Sequence, residues 1–459
     1  MSSSDSPSVR PTLVELLQPI EQVAIDDGGG TGDSGAHEWL QAHDWRLLVR
    51  PREQPCPAGA QIERFKSDSG VSVDAVQAED GTVFVPFELD DAYRAYVTEA
   101  WRQHASLDAL SQRQLALYYR VKRLLPRGFW LALRRSFHRR RRLPTFPAWP
   151  LESGVEQLLR FYALCRLRAA GVEQAEFKWF WPDRHRAALI LTHDVESGEG
   201  LRLALELADL EEERGLRSSF NIVGGDYPLD QGVLRELRQR GFEIGLHGLH
   251  HDRSLFSSRA EFERQLPALA EAASHLGAEG FRSPSTHRVV EWLPELPVEY
   301  DCTVPHSDPY EPQPGGCCSL WPFALGRIVE LPYTLPQDHA LFTVLGKRSV
   351  EPWLEQSLAI ERRFGLIQCL SHPDRGYLGD PDKRAIYREL LDALAERETI
   401  WKALPREVVR WWRQRAAGGT RADGQMLGTM RIGATPEYAQ FEPPAQRLPI
   451  GSVGKTTVA

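Results

Sequence analysis

The chain has 459 residues, of which 42% are hydrophobic and 26% are charged, and its formal net charge is −8. These values are ordinary for globular domains, and the negative charge argues against a nucleic-acid partner. No run of about 18 apolar residues occurs, so no transmembrane helix is predicted. The six cysteines show no metal-knuckle spacing, and the polar sequence after Met1 does not predict a signal peptide. We therefore expect a cytoplasmic protein.

Composition divides the chain into four segments. Residues 1–36 are rich in Ser, Asp and Gly and are expected to form a disordered tail. Residues 37–181 give few clear signals and are interpreted as an N-terminal α+β extension of unknown role. Residues 182–415 carry a regular pattern of short apolar runs. Residues 416–459, rich in Gly, Thr and Pro, are expected to form a flexible C-terminal tail.

A basic amphipathic segment at 120–142 lies within the N-terminal extension. It contains ten Lys or Arg residues and no acidic residue, with large apolar side chains between them. Such a segment can contact an anionic membrane surface or an anionic lipid- or nucleotide-linked substrate. The alternative is a solvated helix that pairs with acidic patches elsewhere on the protein. Both interpretations stay open at the level of the sequence.

Short β-like runs alternate with helical patterns between residues 182 and 415. This alternation is typical of parallel βα units. Because seven such runs exceed the usual open sheet, we predict an α/β fold in which the sheet forms a distorted (β/α)7 barrel. The runs cover residues 187–195, 218–223, 243–248, 280–283, 300–304, 328–335 and 366–371.

Candidate catalytic side chains fall where four of these runs end. Catalytic groups of such barrels lie at the C-terminal ends of the strands, and Asp194, His247, Arg282 and His372 occupy those places. An Arg there can hold a carboxylate in a bidentate fork, although a surface Arg before a turn is the alternative. A His that closes an apolar strand suits a general acid near neutral pH.

Asp194 and Glu196 are two residues apart, so their side chains are expected to share one face of a strand. Two carboxylates that face one pocket repel each other unless a cation lies between them or one is protonated. A metal ligand beside a general base resolves this conflict. An isolated Asp-x-Glu is more often a surface turn after a strand, so this pair alone does not identify a site.

The histidines after the third run are the sharper signal. His247 and His251 are four residues apart, and on one helical turn such a pair can bring two imidazoles onto one cation. His250 leaves an alternative open, because His247 and His250 could also pair. A single His is more often a hydrogen-bonded structural residue, but three within five positions favour a divalent-metal site.

Four motifs follow one another along the chain, and together they resemble the polysaccharide deacetylases, the NodB-homology carbohydrate esterases of family four. The resemblance covers roughly residues 183–405 and is to a bacterial branch that looks cytoplasmic. It implies a barrel of the glycoside hydrolase and deacetylase type that removes acetyl groups from sugars with one divalent metal, commonly zinc, with cobalt, nickel or manganese as alternatives. The motifs are Thr192-His193-Asp194-Val195-Glu196, His247-x-x-x-His251, Arg282-Ser283-Pro284 and Leu370-Ser371-His372-Pro373.

The resemblance also implies the metal ligands. His247 and His251 match the two metal imidazoles of the family. The first motif departs from the family pattern, because most members have two consecutive Asp residues, the second of which binds the metal, and this chain has Val195 there. Glu196 is therefore the expected third ligand. Its longer side chain leaves the geometry to be determined.

The remaining roles follow in the same way. Asp194 matches the general base, Arg282 matches the Arg that orients this base, and His372 matches the general acid. Where many members have an aromatic residue, this chain has Ser285, whose backbone N–H is expected to stabilise an oxyanion. Asp338 and His339, after the sixth run, are our candidates for sugar contacts.

The sequence therefore predicts a metal-dependent hydrolase that removes an acetyl group from an N-acetylated sugar. The expected substrate is lipid- or nucleotide-linked, the segment 120–142 is expected to contact an anionic membrane peripherally, and no nucleic-acid partner is expected. Two alternatives stay open. The first is a hydrolase of a non-sugar linear or cyclic amide. The second is a non-catalytic carbohydrate-binding protein that lost activity when Val195 replaced the usual ligand.

Overall fold

A computed structural model describes residues 11–17, 25–28, 36–52, 56–104, 143–417, 427–434 and 438–444. The basic segment predicted at 120–142 lies outside these residues. No helix among them is long and apolar enough to cross a membrane.

The N-terminal part contains a six-stranded sheet that is antiparallel except for one edge pair. The strands pair in the order β1-β6-β5-β4-β2-β3, where β1 is Ile25–Asp26, β2 Glu38–Ala42, β3 Trp45–Val49, β4 Ala60–Ser67, β5 Ser72–Gln77 and β6 Val83–Phe84. Along β4 exposed and buried residues alternate, as expected when one face covers a core. The helices beside this sheet are α1 (Leu13–Leu17), α2 (Leu89–Val97) and α3 (Gly154–Ala170).

Two of the predicted tails are partly packed. In α1 the side chains of Leu13, Leu16 and Leu17 are buried, so the prediction of a disordered tail is wrong for this part of residues 1–36. A three-stranded antiparallel sheet joins the C-terminal strands to the strand before the barrel, in the order β18-β17-β7. Its strands are β7 (Gln174–Lys178), β17 (Leu427–Ile432) and β18 (Ala439–Glu442), so the predicted flexible tail is packed over these residues.

The largest sheet is the predicted barrel. All seven predicted runs become parallel strands, which pair in the order β14-β12-β11-β10-β9-β8-β15. The strands of this sheet are β8 (Ala187–Val195), β9 (Ser219–Ile222), β10 (Glu243–Leu246), β11 (Gly280–Phe281), β12 (Tyr300–Asp301), β13 (Phe323–Leu325), β14 (Ile328–Glu330), β15 (Leu366–Ser371) and β16 (Ile400–Lys402). Every residue of β8 is buried, as is typical of parallel strands covered on both faces.

Hydrogen bonds beyond β14 complete the ring of strands. The backbone N–H groups of Thr334 and Leu335 donate to the carbonyl of Gln368 in β15, at 3.3 and 3.1 Å. The ring is irregular, because β13 runs antiparallel to β14 and no α-helix follows β11 or β12 among the described residues. The predicted distorted barrel is confirmed.

Helices on the outside of the barrel connect most of its strands. They are α4 (Gly198–Glu212), α5 (Gln231–Gln239), α6 (Arg259–Leu276), α7 (Glu351–Arg362), α8 (Pro381–Ala395) and α9 (Pro405–Ala416). Ser197, Asp230 and Ser258 cap the first three by accepting hydrogen bonds from backbone N–H groups of the first turn. These caps fix the first residue of each of the three helices, and therefore the length of the loop that connects it to the preceding strand.

Candidate active site

The C-terminal ends of four barrel strands bring the predicted chemical groups to one end of the barrel. Strand β8 ends at Val195, β10 at Leu246, β11 at Phe281 and β15 at Ser371, and each is followed directly by at least one candidate residue. The structure brings together Asp194, Glu196, His247, His251, Arg282 and His372.

The end of β8 separates its side chains between two faces. Asp194 and Glu196 lie on the side of the candidate site, whereas Val195 is fully buried in the core. His193 also lies on the core side, with its ring nitrogens 2.8 Å from Ser371 Oγ and 2.7 Å from Glu211 Oε1. The period of two along a strand thus places both carboxylates together and gives His193 a structural role.

Three potential ligands of a cation converge beside Asp194. One ligand atom from each of Glu196, His247 and His251 lies within 4.8 Å of the others. Glu196 Oε1 is 2.9 Å from His251 Nε2 and 3.6 Å from His372 Nε2. One carboxylate and two imidazoles form a donor set that suits zinc and similar divalent ions.

His247 shows that this set fits a metal. Its Nδ1–H donates to the carbonyl of Arg282 at 2.9 Å, which leaves Nε2 as the nitrogen with a free lone pair. This Nε2 is buried and has no hydrogen-bond partner within the described part of the chain. A buried polar atom without a partner is unfavourable, and a cation bound at Nε2 removes that penalty. Burial lowers the pKa of His247 to about 4, so the imidazole is neutral and available as a ligand.

His247 and His251, the two candidate metal ligands, lie on a loop and not on the helical turn expected from their spacing. Gly248 has a φ of 74°, a left-handed conformation that turns the chain directly after His247. Asp226 then anchors the returning loop, because its Oδ2 accepts the backbone N–H of His251 at 2.6 Å and its Oδ1 lies 2.7 Å from His250 Nδ1. His250 therefore supports the loop while His251 faces Glu196.

Asp194 is held in its ionised form. It is 3% exposed, and its Oδ1 accepts a hydrogen bond from Asn221 Nδ2 at 2.8 Å. Burial alone would raise its pKa, but the interactions with His247, Arg282 and His372 and the hydrogen bond from Asn221 outweigh burial and hold the pKa below its usual value. A buried carboxylate that stays ionised is a suitable proton acceptor.

Arg282 contacts Asp194 less closely than the bidentate fork expected from the sequence. Its side chain is fully buried, but Nη1 is 3.9 Å from Asp194 Oδ2. Its Nη2 donates to Thr192 Oγ1 at 3.1 Å. The guanidinium therefore acts on Asp194 through its charge and not through two short hydrogen bonds.

Asp338, predicted from the sequence to contact sugar, contacts His372 in the structure. It is fully buried, and both of its oxygens accept hydrogen bonds from His372, one from the ring Nδ1–H at 2.7 Å and one from the backbone N–H at 2.9 Å. Burial alone would lower the pKa of His372, but Asp338 outweighs it and raises the pKa to about 10. The ring is therefore protonated at neutral pH, and its Nε2–H is the group that can be donated.

The other two predicted substrate contacts lie close to the same end of the barrel. His339 Nδ1 is 3.0 Å from the hydroxyl of Tyr377, whose ring lies 4.7 Å from that of His372. Ser285 lies in the turn Pro284–Thr286 after Arg282 and has a φ of 53°. A positive φ at a non-glycine residue is unfavourable, so the turn is held by its surroundings.

Two supporting residues were missed from the sequence. Asn221, which positions Asp194, is a polar residue inside the buried strand β9, and this was the available signal. Its neighbour across the strands is Gly245, where a Cβ would collide with the Asn221 side chain. Asp374 follows His372 by two residues, and its carboxylate accepts the backbone N–H of Glu196 at 3.0 Å and the hydroxyl of Ser197.

Comparison with solved structures finds proteins of similar fold. A putative polysaccharide deacetylase from Mycobacterium smegmatis is 19% identical, with 52% of this chain and 94% of that chain covered and a TM-score of 0.43. A probable polysaccharide deacetylase from Pseudomonas aeruginosa PAO1 is 17% identical, with 51% of this chain and 93% of that chain covered and a TM-score of 0.41. The Puue allantoinase is 16% identical, with 51% of this chain and 92% of that chain covered and a TM-score of 0.40. No family model and no curated protein matches the sequence.

Proposed function

We propose that this chain is a metal-dependent hydrolase that removes the acetyl group from an N-acetylated sugar. The observation that carries the proposal is the cluster of Glu196, His247 and His251 beside Asp194, with a buried His247 Nε2 that has no hydrogen-bond partner among the residues that the structure describes. The sequence motifs that resemble the polysaccharide deacetylases support the sugar substrate. A divalent cation held by these three residues would polarise the acetyl carbonyl and lower the pKa of a water molecule.

The residues around the cluster supply the proton transfers. Asp194, kept ionised by the nearby charges of Arg282 and His372, takes a proton from the attacking water. His372 carries a proton on Nε2 because its Nδ1–H is committed to Asp338, and it donates this proton to the leaving nitrogen. The two groups differ in protonation because their surroundings shift their pKa values in opposite directions, which is the arrangement that acid–base catalysis requires.

The turn after Arg282 completes the proposed site. The backbone N–H of Ser285 is the proposed donor to the oxyanion of the tetrahedral intermediate. Arg282 keeps Asp194 ionised, and Tyr377 forms a wall beside His372. In this proposal every catalytic group lies at the C-terminal end of a barrel strand or in the loop that follows that strand.

Acetate release tests the proposal. The purified protein is incubated with free, nucleotide-linked and lipid-linked N-acetylated sugars, and acetate is measured for the wild type and for Asp194→Asn. We expect release by the wild type and a loss of roughly a hundredfold or more in the variant, because the general base is removed. Asp230→Asn is the matched control, because Asp230 is exposed and lies outside the cluster, and Asn is also a good helix cap.

Metal content separates the proposal from its alternatives. We expect roughly one divalent ion per chain in the wild type and in His275→Ala, whose side chain is exposed, and none in His247→Ala/His251→Ala. Bound metal without acetate release from any sugar would favour the hydrolase of a non-sugar amide. Absence of both metal and activity would favour the non-catalytic carbohydrate-binding protein.

We also propose a peripheral membrane contact through the basic segment 120–142, which its charge and apolar residues support. Flotation with vesicles that contain anionic lipid tests this. The full chain is expected to float, and a variant in which Arg139, Arg140, Arg141 and Arg142 are replaced by Gln is expected to float less. Equal flotation of the two proteins would refute the contact.

A further inference from the structure

Two acidic residues that the proposed reaction does not use lie side by side at the ends of two barrel strands. Asp301 ends β12 and Glu330 ends β14, and they are direct partners in the pairing of these parallel strands. Paired side chains of neighbouring strands share one face, and the strands lie about 4.8 Å apart. Both residues are fully buried, and neither forms an ion pair within the described part of the chain. Two adjoining buried carboxylates repel each other, so at least one of them carries a proton.

The hydrogen bonds of this pair show which group carries the proton. Asp301 accepts two hydrogen bonds from Thr303, from the hydroxyl at 2.7 Å and from the backbone N–H at 3.0 Å. Glu330 Oε1 accepts the N–H of Val304 at 3.0 Å, and no N–H or hydroxyl of the described residues donates to Oε2. Because donors stabilise an ionised carboxylate, Asp301 is the ionised partner and Glu330 the protonated one. A side-chain hydrogen bond joins the two groups, and the protonated Glu330 is its donor.

The ionisable groups around the pair agree with this assignment. Burial and then the charge of Asp301 raise the pKa of Glu330 well above its usual value. Arg282, after β11, acts on both carboxyl groups in the opposite direction. The thiols of Cys302 and Cys317 lie nearby, and burial raises their pKa values, so both are neutral. The pair therefore holds one proton and one negative charge at neutral pH.

Thr303 connects the pair to the turn that contains Ser285. The Thr303 hydroxyl donates its one proton to Asp301, which leaves Oγ1 free to accept the backbone N–H of Ser283 at 2.9 Å. Ser283 directly precedes the turn. Within the turn Ser285 and Thr286 have φ values of 53° and 49°, which are unfavourable for residues other than glycine. Such a turn needs a fixed anchor, and the Thr303 hydroxyl provides one.

We propose that Glu330, Asp301 and Thr303 form a buried positioning network that holds the turn of Ser285 in place for the oxyanion. Glu330 donates its proton to Asp301, Asp301 fixes the direction of the Thr303 hydroxyl, and Thr303 anchors Ser283. Hydrogen bonds in such a chain polarise one another and together specify one geometry. The inference rests on the proposed function, because the oxyanion forms only in that reaction.

The pH dependence of unfolding tests the proton on Glu330 without any substrate. The pKa of Glu330 is raised in the folded protein, so its stabilising effect is complete below the unfolded pKa of 4.5 and is lost as the pH rises. Glu330→Gln replaces the protonated carboxyl by a neutral amide. Between about pH 6 and pH 8 the unfolding constant of the wild type is expected to rise about tenfold per pH unit relative to this variant. Glu236→Gln, an exposed change on α5, is the control. A pH-independent ratio of wild type to Glu330→Gln would overturn the network.

Hydrogen exchange of the turn tests the anchor, and it also needs no substrate. Thr303→Val has nearly the same shape but no hydroxyl, so the amides of residues 282–288 are expected to exchange roughly tenfold faster, as the loss of one hydrogen bond provides. Thr303→Ser keeps the hydroxyl and is expected to restore the protection. Asp301→Asn places an amide NH₂ group against the Thr303 donors and is expected to act like Thr303→Val. Asp382→Asn, an exposed change on α8, is the control.

Kinetics separate positioning from a merely structural role. A displaced oxyanion donor weakens binding of the transition state and not of the substrate. Thr303→Val is therefore expected to lose roughly tenfold or more in kcat at a nearly unchanged KM, and Thr303→Ser is expected to recover most of the loss. Equal kcat or equal exchange of wild type and Thr303→Val would overturn the positioning role. If the unfolding and exchange results hold but no sugar releases acetate, the anchored turn is retained and the proposed function is overturned.

Discussion

Single side chains decide the protonation of the proposed acid. His372 is buried, and burial disfavours a charged imidazole. Asp338 reverses this preference because both of its oxygens contact His372 and no solvent reaches it. The sequence signal for Asp338 was only its position after a strand, which is why it was predicted to contact sugar. Its actual partner lies 34 positions away along the chain.

Removal of this charge gives the first prediction. In Asp338→Asn the pKa of His372 falls, since the carboxylate that raises it is gone. A general acid must be protonated to act. As the pH rises, the variant is therefore expected to lose activity earlier than the wild type, with the basic limb of its pH profile shifted to lower pH by roughly one unit or more. The pH dependence of kcat/KM for acetate release measures the shift. Asp382→Asn, an exposed change on α8, is the control, and coincident profiles would contradict the role of Asp338.

A second residue affects stability instead of chemistry. Glu243 begins β10 at the opposite end of the barrel, where its oxygens accept hydrogen bonds from the Tyr300 hydroxyl at 2.7 Å and the Arg406 N–H at 3.2 Å. Burial raises its pKa to about 7. Since the pKa in the folded protein lies above that of the unfolded chain, the protonated form stabilises the fold. This contribution is complete below the unfolded pKa of about 4.5 and is lost as the pH rises through 7.

The prediction for Glu243→Gln follows from this sign. The wild type is expected to lose about 3 kcal/mol of unfolding free energy between pH 4.5 and pH 8 through this group, and the variant is expected to lose correspondingly less. Urea unfolding at several pH values measures both proteins. Glu236→Gln on the exposed surface of α5 serves as control. A slope against pH that is the same in all three proteins would show that Glu243 does not contribute.

At the scale of an element, the alternation along β8 explains the departure in the first motif. Val195 points into the core, so the proposed ligand of this chain is the next residue on the site face, Glu196. Its longer side chain reaches His251 from beyond the end of the strand. Val195 is a core residue, and in the proposed site Glu196 takes the place of the usual ligand.

Val195→Asp tests this interpretation. The substitution is expected to bury an unpaired carboxylate and to lower the free energy of unfolding by about 3 kcal/mol or more, without adding a ligand. Val195→Ile, which keeps an apolar side chain, is expected to change stability by about 1 kcal/mol. Thermal unfolding and metal content are measured for both. A stable Val195→Asp protein with tighter metal binding would contradict the assignment of the two faces.

The junction of β8 and α4 gives a further prediction. Glu196 lies beyond the last residue of β8, and its N–H donates to Asp374 instead of to a neighbouring strand. The same carboxylate binds Ser197, the cap of α4. In Asp374→Ala we expect metal affinity to fall about tenfold, because Glu196 loses its anchor. Competition with a chelator measures the affinity, with Asp380→Ala as control, and an unchanged affinity would contradict the anchoring.

Elements with a local pattern were predictable, and irregular loops were not. The apolar runs predict the seven barrel strands. The polar residues at the ends of these runs, such as Asp194 and His372, predict where the strands end. The loop from His247 to His251 was expected to be helical because of its spacing. Its path instead depends on Gly248 and on Asp226, which belongs to the loop after the preceding strand. The spacing of the histidines along the chain does not predict the contact of this loop with Asp226.

At the scale of the whole molecule, distant segments hold each other in place. Arg415, in α9, is buried and donates to the carbonyls of Leu16 and Lys178, and the first of these contacts spans 399 positions. Tyr438 near the C-terminus accepts a hydrogen bond from Trp45 in the N-terminal sheet at 3.1 Å. Because such contacts join polar or Gly-rich segments to remote partners, composition alone predicted tails where the structure has helix and strands.

The buried ion pair of Glu99 and Arg288 joins the N-terminal part to the barrel. Glu99 has a φ of 56° and Arg288 is 2% exposed, so both are held in place by their surroundings. Arg288 Nη1 also donates to the carbonyl of Thr286 at 3.0 Å, within the turn that contains Ser285. The N-terminal part therefore supports a loop of the candidate active site.

Glu99→Gln is expected to leave the charge of Arg288 buried without its counter-ion and to lower the free energy of unfolding by about 3 kcal/mol or more. Glu88→Gln, which breaks a partly exposed pair with Arg94, is expected to change it by less than about 1 kcal/mol. The double variant Glu99→Gln/Arg288→Met is expected to recover part of the loss, because no unpaired charge remains. Urea unfolding of the four proteins provides the comparison. If Glu99→Gln and Glu88→Gln unfold alike, the buried pair does not join the two parts of the molecule.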